Sequence, residues 1–292
     1  MTPDTRNIEA SIVADSINPD GKRITTFVVK YPRFIHSEIM THRQFSRNAA
    51  SSRAIPTSKI ISAVNKTPAM PEWWGANQKG MQAVGQVDTL KIEACQDNIG
   101  FLRDRAVASV KELNELGLHK QIANRYLEPW FHITVLITAT DWGNFFALRA
   151  HPDAQPEFQI LAYRMLDLYL KNEPTKLGWR EGHSPLAKTA AEEPNIEKRL
   201  VESVANCART SYTTQDKDYT YEAQLKLRNT LKESGHWSPF EHQAMADKVK
   251  SMSGNFRGGW SQHRHEAQFK TDPKDRLSLE QIMETKPDWF DL

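Results

Sequence analysis

Residues 23–56, RITTFVVKYPRFIHSEIMTHRQFSRNAASSRAIP, hold the reading on which the fold turns. The first part, 23 to 32, is rich in β-branched side chains and ends at a proline, which predicts a strand. RFIHSEIMTHRQF then sets Ile35, Ile39 and Met40 at helical spacing, with His36 and Arg43 on other faces. The helix should fail within SRNAASSRAIP. There Asn48, Ser51 and Ser52 compete for backbone hydrogen bonds, and Pro56 restricts Ile55. Residues 41–56 carry four basic side chains, six hydroxyl or amide side chains and no acid. Arg43, Arg47 and Arg53 offer rigid guanidinium forks and Ser51 and Ser52 offer hydroxyls, a set suited to an anion such as phosphate. A solvated basic loop is the plain alternative, and composition alone leaves both open.

Working outward, residues 66–87, with two prolines, three glycines and Trp73-Trp74, read as an irregular surface excursion. From Asp88, the spacing of Ile92, Cys95, Ile99, Leu102, Ala106 and Leu113 predicts a long amphipathic helix closed by Gly117. HKQIANRYLEP reads as a short helix ending before Pro129. FHITVLITAT reads as a strand, with a buried helix as its rival. Phe158, Leu161, Ala162, Met165, Leu168 and Tyr169 define another amphipathic helix. Residues 172–194, with three prolines and two glycines, read as a linker. Helices are expected near 195–208 and 220–234, a turn at GHWSPFEHQ, a strand at AMADKVKSM and a charged peripheral tail from 272 to 292. The expected class is α+β, mixed helices packed on a small β-sheet, with residues 1–292 as one domain.

The 39% hydrophobic and 25% charged fractions are those of a globular protein, and its length can bury a sizeable core. A formal charge of +2 disfavours a general nucleic-acid binder, so the basicity of residues 41–56 is local and points to a small anion. FHITVLITATDW is too short to span a bilayer, and the N-terminus lacks the apolar core of a signal peptide. Cys95 and Cys207 form neither a metal quartet nor a disulfide framework. The expectation is a reduced cytoplasmic protein with no membrane segment.

Two further constellations stand beside the first. ALRAHPDAQPEF places Arg149, Asp153, Gln155 and Glu157 at a helix junction, where capping and surface pairing also suit them. ARTSY and SGHWSPFEHQ supply Arg209, Ser211, His236, Ser238, Glu241 and His242. Two histidines near a glutamate invite a zinc reading, but no third ligand follows at metal-site spacing, so no metal is expected. The residues by themselves support binding of a phosphorylated small molecule.

Together the three blocks resemble the flavin-dependent thymidylate synthases. His42, Arg43, Asn48, Ser51 and Arg53 stand at the places of that family's Arg-His-Arg, Asn and Ser-x-Arg signature, with Thr41 in place of the first Arg. NFFALRAHPDAQPEF resembles its second block and CARTSY with GHWSPFEHQ its third. The usual order puts the PFEH block first, whereas here it follows, so the sequence looks circularly permuted. GGWSQHRHE then reads as a second copy of the His-Arg element, His263-Arg264. Only the first copy runs on into Asn and Ser-x-Arg, so the first is expected to face the flavin.

The resemblance implies reductive methylation of dUMP to dTMP, with methylenetetrahydrofolate as carbon donor and FAD, reduced by NADPH, as hydride source. It implies no cysteine nucleophile. It also implies dUMP contacts from Glu38, Ser51, Ser52, Arg53, Arg125 and Arg149, with Ser51, Arg53 and Arg149 catalytic. FAD contacts would come from His42, Arg43, Asn48, Asn144, Ser211, His236 and Ser238. A homotetramer with shared active sites is the expected assembly. A related flavin enzyme leaving a hydroxymethyl group, and a non-catalytic nucleotide-binding protein, are the alternatives.

Overall fold

Two antiparallel strands begin the chain in the computed structural model, which describes residues 7–211, 219–248, 253–269 and 279–285. Strand β1 (Glu9–Ile17) pairs with β2 (Arg23–Pro32) across a turn at Gly21, which sits at a φ of 72°. Pro32 ends β2 as expected, and β2 then pairs along its length with β4 (His132–Ala139). Strand β1 is an element the sequence reading did not anticipate; EASIVADSI breaks the period-two pattern, and its pairing with β2 slips between Ile12 and Ala14.

The helical spacing after Pro32 yields only a 3-10 turn (Arg33–Ile35) and one turn of helix, α1 (His36–Ile39). Past it, the expected loop proves to be a strand at its start. Residues Ser46–Ala49 form β3, paired antiparallel with β4 from Ser46 opposite Thr138 to Ala49 opposite Val135. Polar side chains hid this strand because its residues face partners in neighbouring elements. Strand β5 (Thr175–Lys176) completes a five-stranded sheet in the order β3-β4-β2-β1-β5, with β5 parallel to β1. Strand β4 lies between β2 and β3 and is buried nearly throughout, which is why FHITVLITAT alternates so weakly and why its helical rival fails.

Against this sheet pack α5 (Gly143–Arg149) and α6 (Pro156–Lys171). Phe158, Leu161, Ala162 and Met165 of α6 meet Phe27, Val29, Tyr31, Val135 and Ile137 of the sheet, with Phe45, Trp142 and Phe145 beside them. Each fully buried side chain of this size contributes on the order of 1.5–3 kcal/mol. A second core joins α2 (Thr57–Lys66) and α3 (Thr89–Glu115) through Ile60, Val64, Val107, Val110, Ala123 and Leu127. Asp88 caps α3 by accepting from the Leu90 amide, and Gly117 at a φ of 86° closes it, so the helix has the bounds read from sequence, with the capping bond found only in the structure. The first half of α3 leaves the core, with Leu90, Phe101 and Leu102 exposed.

The helix read from HKQIANRYLEP is α4 (Lys120–Ala123), which tightens into a 3-10 helix (Asn124–Trp130) that runs through Pro129 instead of stopping before it. Residues 172–194 carry more than a plain linker, for β5 and then β6 (Gly182–His183) fall within them. Strand β6 joins β7 (Ala244–Ala246) and β8 (Trp260–Gln262) in a second antiparallel sheet. Helices α7 (Ile196–Ala208) and α8 (Tyr221–Glu233) lie where expected, and α9 (His263–Phe269) follows β8 directly. Of AMADKVKSM, only residues 244–246 are strand, and 249–252 lie outside the described residues. Of the charged tail, 279–285 are described and carry α10 (Leu279–Glu284); the rest lies outside.

The two sheets are laced by polar groups. His183 joins Ser16 at 2.9 Å through Nδ1 and Thr26 at 2.8 Å through Nε2. Thr26 continues to Thr138, and Thr138 to Nδ1 of His242, each at 2.8 Å. Burial pushes both imidazoles down to about 3, so they are neutral members of this chain.

Candidate active site

Arg149 ends α5 and reaches back to the α1 turn. Its Nη1 donates to Glu38 Oε2 at 2.8 Å and its Nε donates to His42 Nε2 at 3.0 Å. The guanidinium also lies 4.5 Å from the centre of the Phe158 ring. Arg149 is thus held by a carboxylate, an imidazole and a π-face, the arrangement that fixes an arginine for recognition of a planar or anionic ligand. Accepting at Nε2 places the His42 proton on Nδ1. Burial first, then Arg149 and Arg47, lower His42 to about 4, so it is neutral at pH 7. Its ring stacks on Phe45 and meets Phe145 and Phe158 edge-on. His42, expected at the flavin, has one nitrogen committed to Arg149, and this first-to-second-block contact was not read from sequence.

The pleat of β3 sends its side chains to alternate faces. Arg47, part of the presumed anion set, instead donates from Nη1 to the carbonyls of Ile39, Met40 and His42 at 3.1, 2.9 and 3.3 Å. These carbonyls lie at and just past the end of the helical turn; those of Ile39 and His42 also accept the backbone amides of His42 and Phe45, and Arg47 adds a side-chain cap to them. Asn48, on the other face, donates to the Cys207 carbonyl and accepts from Ser238 Oγ at 3.3 Å. Asn48 therefore ties the first block to the third.

Ser51, Ser52 and Arg53 follow β3 in the loop that leads to α2. Ser51 is half-buried, Ser52 buried and Arg53 exposed. Ser52 Oγ donates to Glu128 Oε1 at 2.6 Å, and Arg125 Nη1 donates to the same oxygen at 2.8 Å. Glu128 Oε2 lies 3.3 Å from Arg33 Nε. Burial pushes the Glu128 carboxyl up, but the Ser52 bond and the charges of Arg33 and Arg125 outweigh it, leaving the group below its ordinary value. Asn124 Nδ2 donates to the carbonyls of Ser52 and Ile55 at 2.8 and 3.0 Å. Lys120 Nζ donates to that of Ala54 at 3.0 Å.

The remaining expected positions divide cleanly. Arg43 and Asn144 are exposed, and neither side chain makes a hydrogen bond or ion pair among the described residues. Exposed His236 shares a 2.8 Å bond with Ser234 through Nδ1, leaving Nε2 toward solvent. Ser211 ends the 3-10 turn Arg209–Ser211, but its side chain lies outside the described residues. Asp153 is exposed, whereas Glu157 is buried and accepts from the Glu72 amide at 2.8 Å and from Gln155 Nε2 at 3.0 Å, a structural role.

The second His-Arg copy is engaged elsewhere. Arg264 pairs with Glu241 and donates from Nε to Gln268 Oε1 at 2.9 Å, while His263 stacks on Phe240. His263 borders a cavity of about 900 Å³ with Trp179, Arg180, Lys232 and Glu266; no residue expected at dUMP or FAD lines it. Cys207 is wholly buried, and burial pushes its thiol up to about 12. Cys95 is half-buried on α3. Among the described residues no group of three His, Cys, Asp or Glu could hold a metal ion, and no helix is long and apolar enough to cross a membrane.

The family model described as "Thymidylate synthase complementing protein" matches residues 23–175 and 197–272. No curated protein matches the chain. Among solved structures, a UMP/dUMP methylase PolB from Streptomyces cacaoi bound with 5-Br dUMP is similar over 56% of this chain and 90% of its own, at 18% identity and a TM-score of 0.48. The same enzyme bound with 5-Br UMP is similar over 56% and 89%, at 17% identity and a TM-score of 0.45.

Proposed function

This chain belongs to the thymidylate synthase complementing protein family, and on that premise we propose that it is a flavin-dependent thymidylate synthase converting dUMP to dTMP. One observation carries the reading: three blocks far apart in sequence are joined through two residues. Arg149 of the second block is seated on Glu38 and His42 of the first. Asn48 of the first is bonded to Ser238 and the Cys207 carbonyl of the third.

In this reading Arg53, Arg125 and Arg149 hold the nucleotide with Ser51 and Ser52. Arg53 is exposed and unspent, which suits it to the phosphate; Arg149 is pre-set by its three contacts, so little entropy is lost when it meets a ligand. The side chains of Arg43 and Asn144, Nε2 of His236 and the acceptor lone pairs of Ser238 Oγ fit a large, hydrogen-bonding cofactor such as FAD, and Asn48 steadies Ser238 for it. Bound FAD, reduced by NADPH, would supply the hydride, with methylenetetrahydrofolate supplying the carbon. Arg149 and Arg53 would orient the uracil and polarise it, His42 keeping Arg149 in place while itself neutral. A thiolate route finds no support in a Cys207 thiol that is buried and raised to about 12. The apolar residues exposed on the first half of α3 support assembly into a homotetramer with shared sites.

The test is direct. The purified protein should carry flavin absorbance that NADPH bleaches and dUMP perturbs. With methylenetetrahydrofolate and NADPH it should yield dTMP by mass spectrometry. A colourless preparation that takes up no added FAD would overturn the reading, and a hydroxymethylated product would redirect it.

A further inference from the structure

Lys120 lies on α4, and Asn124 and Glu128 lie on the 3-10 helix that continues it. All three touch the same short loop. Lys120 donates to the Ala54 carbonyl, Asn124 to the carbonyls of Ser52 and Ile55, and Glu128 accepts from the Ser52 hydroxyl. Glu128 also holds Arg125, and Arg33 lies on its other oxygen. We propose that Lys120, Asn124 and Glu128 are a set of positioning residues that hold the Ser51–Arg53 loop and Arg125 in the conformation that receives the nucleotide, with Glu128 as the central member. The proposal rests on the reading above that this loop meets dUMP.

Chemistry makes Glu128 more than a brace. A serine hydroxyl has one proton, and that of Ser52 goes to the carboxylate, so Ser52 faces any ligand as an acceptor and not as a donor. The phosphate donors are then left to the guanidiniums of Arg53 and Arg125. Two guanidiniums against one carboxylate leave a net positive charge, so Glu128 orders Arg125 without cancelling the attraction for an anion. The carbonyls of Ser52, Ala54 and Ile55 are all taken by side chains of the one segment, and the Ala54 amide closes the loop on the Ser51 carbonyl at 3.0 Å, so its backbone is fixed from both sides.

The test uses the full-length protein with FAD bound. Glu128→Gln and Asn124→Ala should raise KM for dUMP at least tenfold, keep kcat within about threefold and leave FAD content unchanged, and Glu128→Asp should recover part of the loss. Lys120→Met, at a half-buried position that tolerates change, should raise KM about threefold even if the buried Asn124 variant does not fold. Trypsin supplies an independent arm: cleavage after exposed Arg53 should quicken at least fivefold in Glu128→Gln and Lys120→Met. Unchanged cleavage together with an unchanged KM overturns the clamp, as does an equal fall in kcat with KM constant. A wild-type protein that ignores dUMP sinks the functional reading instead, and the trypsin arm then decides the clamp alone.

Discussion

Cys207 and Cys95 are the only thiols in the chain, and neither is placed to attack a substrate. Cys207 has no exposed surface and its thiol is pushed up to about 12; Cys95 rides a helix outside the cluster of blocks. Changing both to Ala should therefore leave turnover of the folded enzyme within about tenfold, roughly 1.4 kcal/mol of barrier. Loss of several orders of magnitude in a double mutant with native circular dichroism would restore a cysteine mechanism. Arg53 presents the opposite case, an exposed guanidinium with no protein partner among the described residues. Arg53→Lys replaces a fork by a point charge. It should weaken dUMP by about 1.5–3 kcal/mol, the range for a charged hydrogen bond, and weaken FAD less. Titration of both ligands decides it, for equal losses would place the loop on the wrong nucleotide.

At the scale of elements, the repeated His-Arg pair is resolved by what each copy touches. On α9, Arg264 is spent on Glu241 and Gln268, and His263 is stacked on Phe240. Beyond α1, Arg43 is exposed and without a partner among the described residues, while His42 is neighbour to Arg149. Arg43→Ala should therefore cut FAD affinity at least tenfold with little change in stability. Arg264→Ala should lower the melting temperature while changing FAD affinity no more than about threefold. Fluorescence titration of FAD on both folded variants settles the ranking; the reverse order would make α9 the flavin clamp. The asymmetry has a physical root. Glu241 stands beside Arg264 to neutralise it, whereas residues 41–56 contain no acid to do so for Arg43.

For the whole molecule, stability should depend steeply on mild acid. His36, His42, His132 and His263 are lowered to about 4 from an ordinary 6.5, and His183 and His242 to about 3, each chiefly by burial. A histidine whose folded pKa is depressed binds fewer protons folded than unfolded. Its contribution is fully present above the unfolded value and is lost as pH falls from about 6.5 toward 4. A fully titrating imidazole contributes a slope of about 1.4 kcal/mol per pH unit at buried His183 and His242, and less at half-buried His36, His42, His132 and His263, where water screens the charge. Melting temperature should be flat near pH 7 to 8 and fall sharply below pH 6, with calorimetry showing uptake of several protons on unfolding near pH 5. A profile level down to pH 4.5 would mean these imidazoles are not buried as neutral groups.

Local chemistry determined a good part of this molecule from the sequence alone. β2 and its stop at Pro32, the start of α3 after Asp88 and its end at Gly117, the amphipathic α6, and the three polar blocks were legible because strand propensity, helix-ending glycine and helical periodicity act between near neighbours. Tertiary structure decided what depends on distant partners. β3 is a strand because β4 offers it a ladder, and residues 33–42 gave up a long helix to reach that edge. β5, β6 and fully buried His183 fall where Pro and Gly suggested a linker, since only the facing strands supply their hydrogen bonds. Arg47 became a cap while Arg149 acquired Glu38 and His42, and Glu128 passed unnoticed because an acid on a short helix looks like any solvated charge until Ser52 and Arg125 close upon it. Which polar side chain binds a ligand and which binds the protein is a question of three-dimensional neighbours, because each side chain has a fixed number of donors and acceptors and distant partners decide how many are taken.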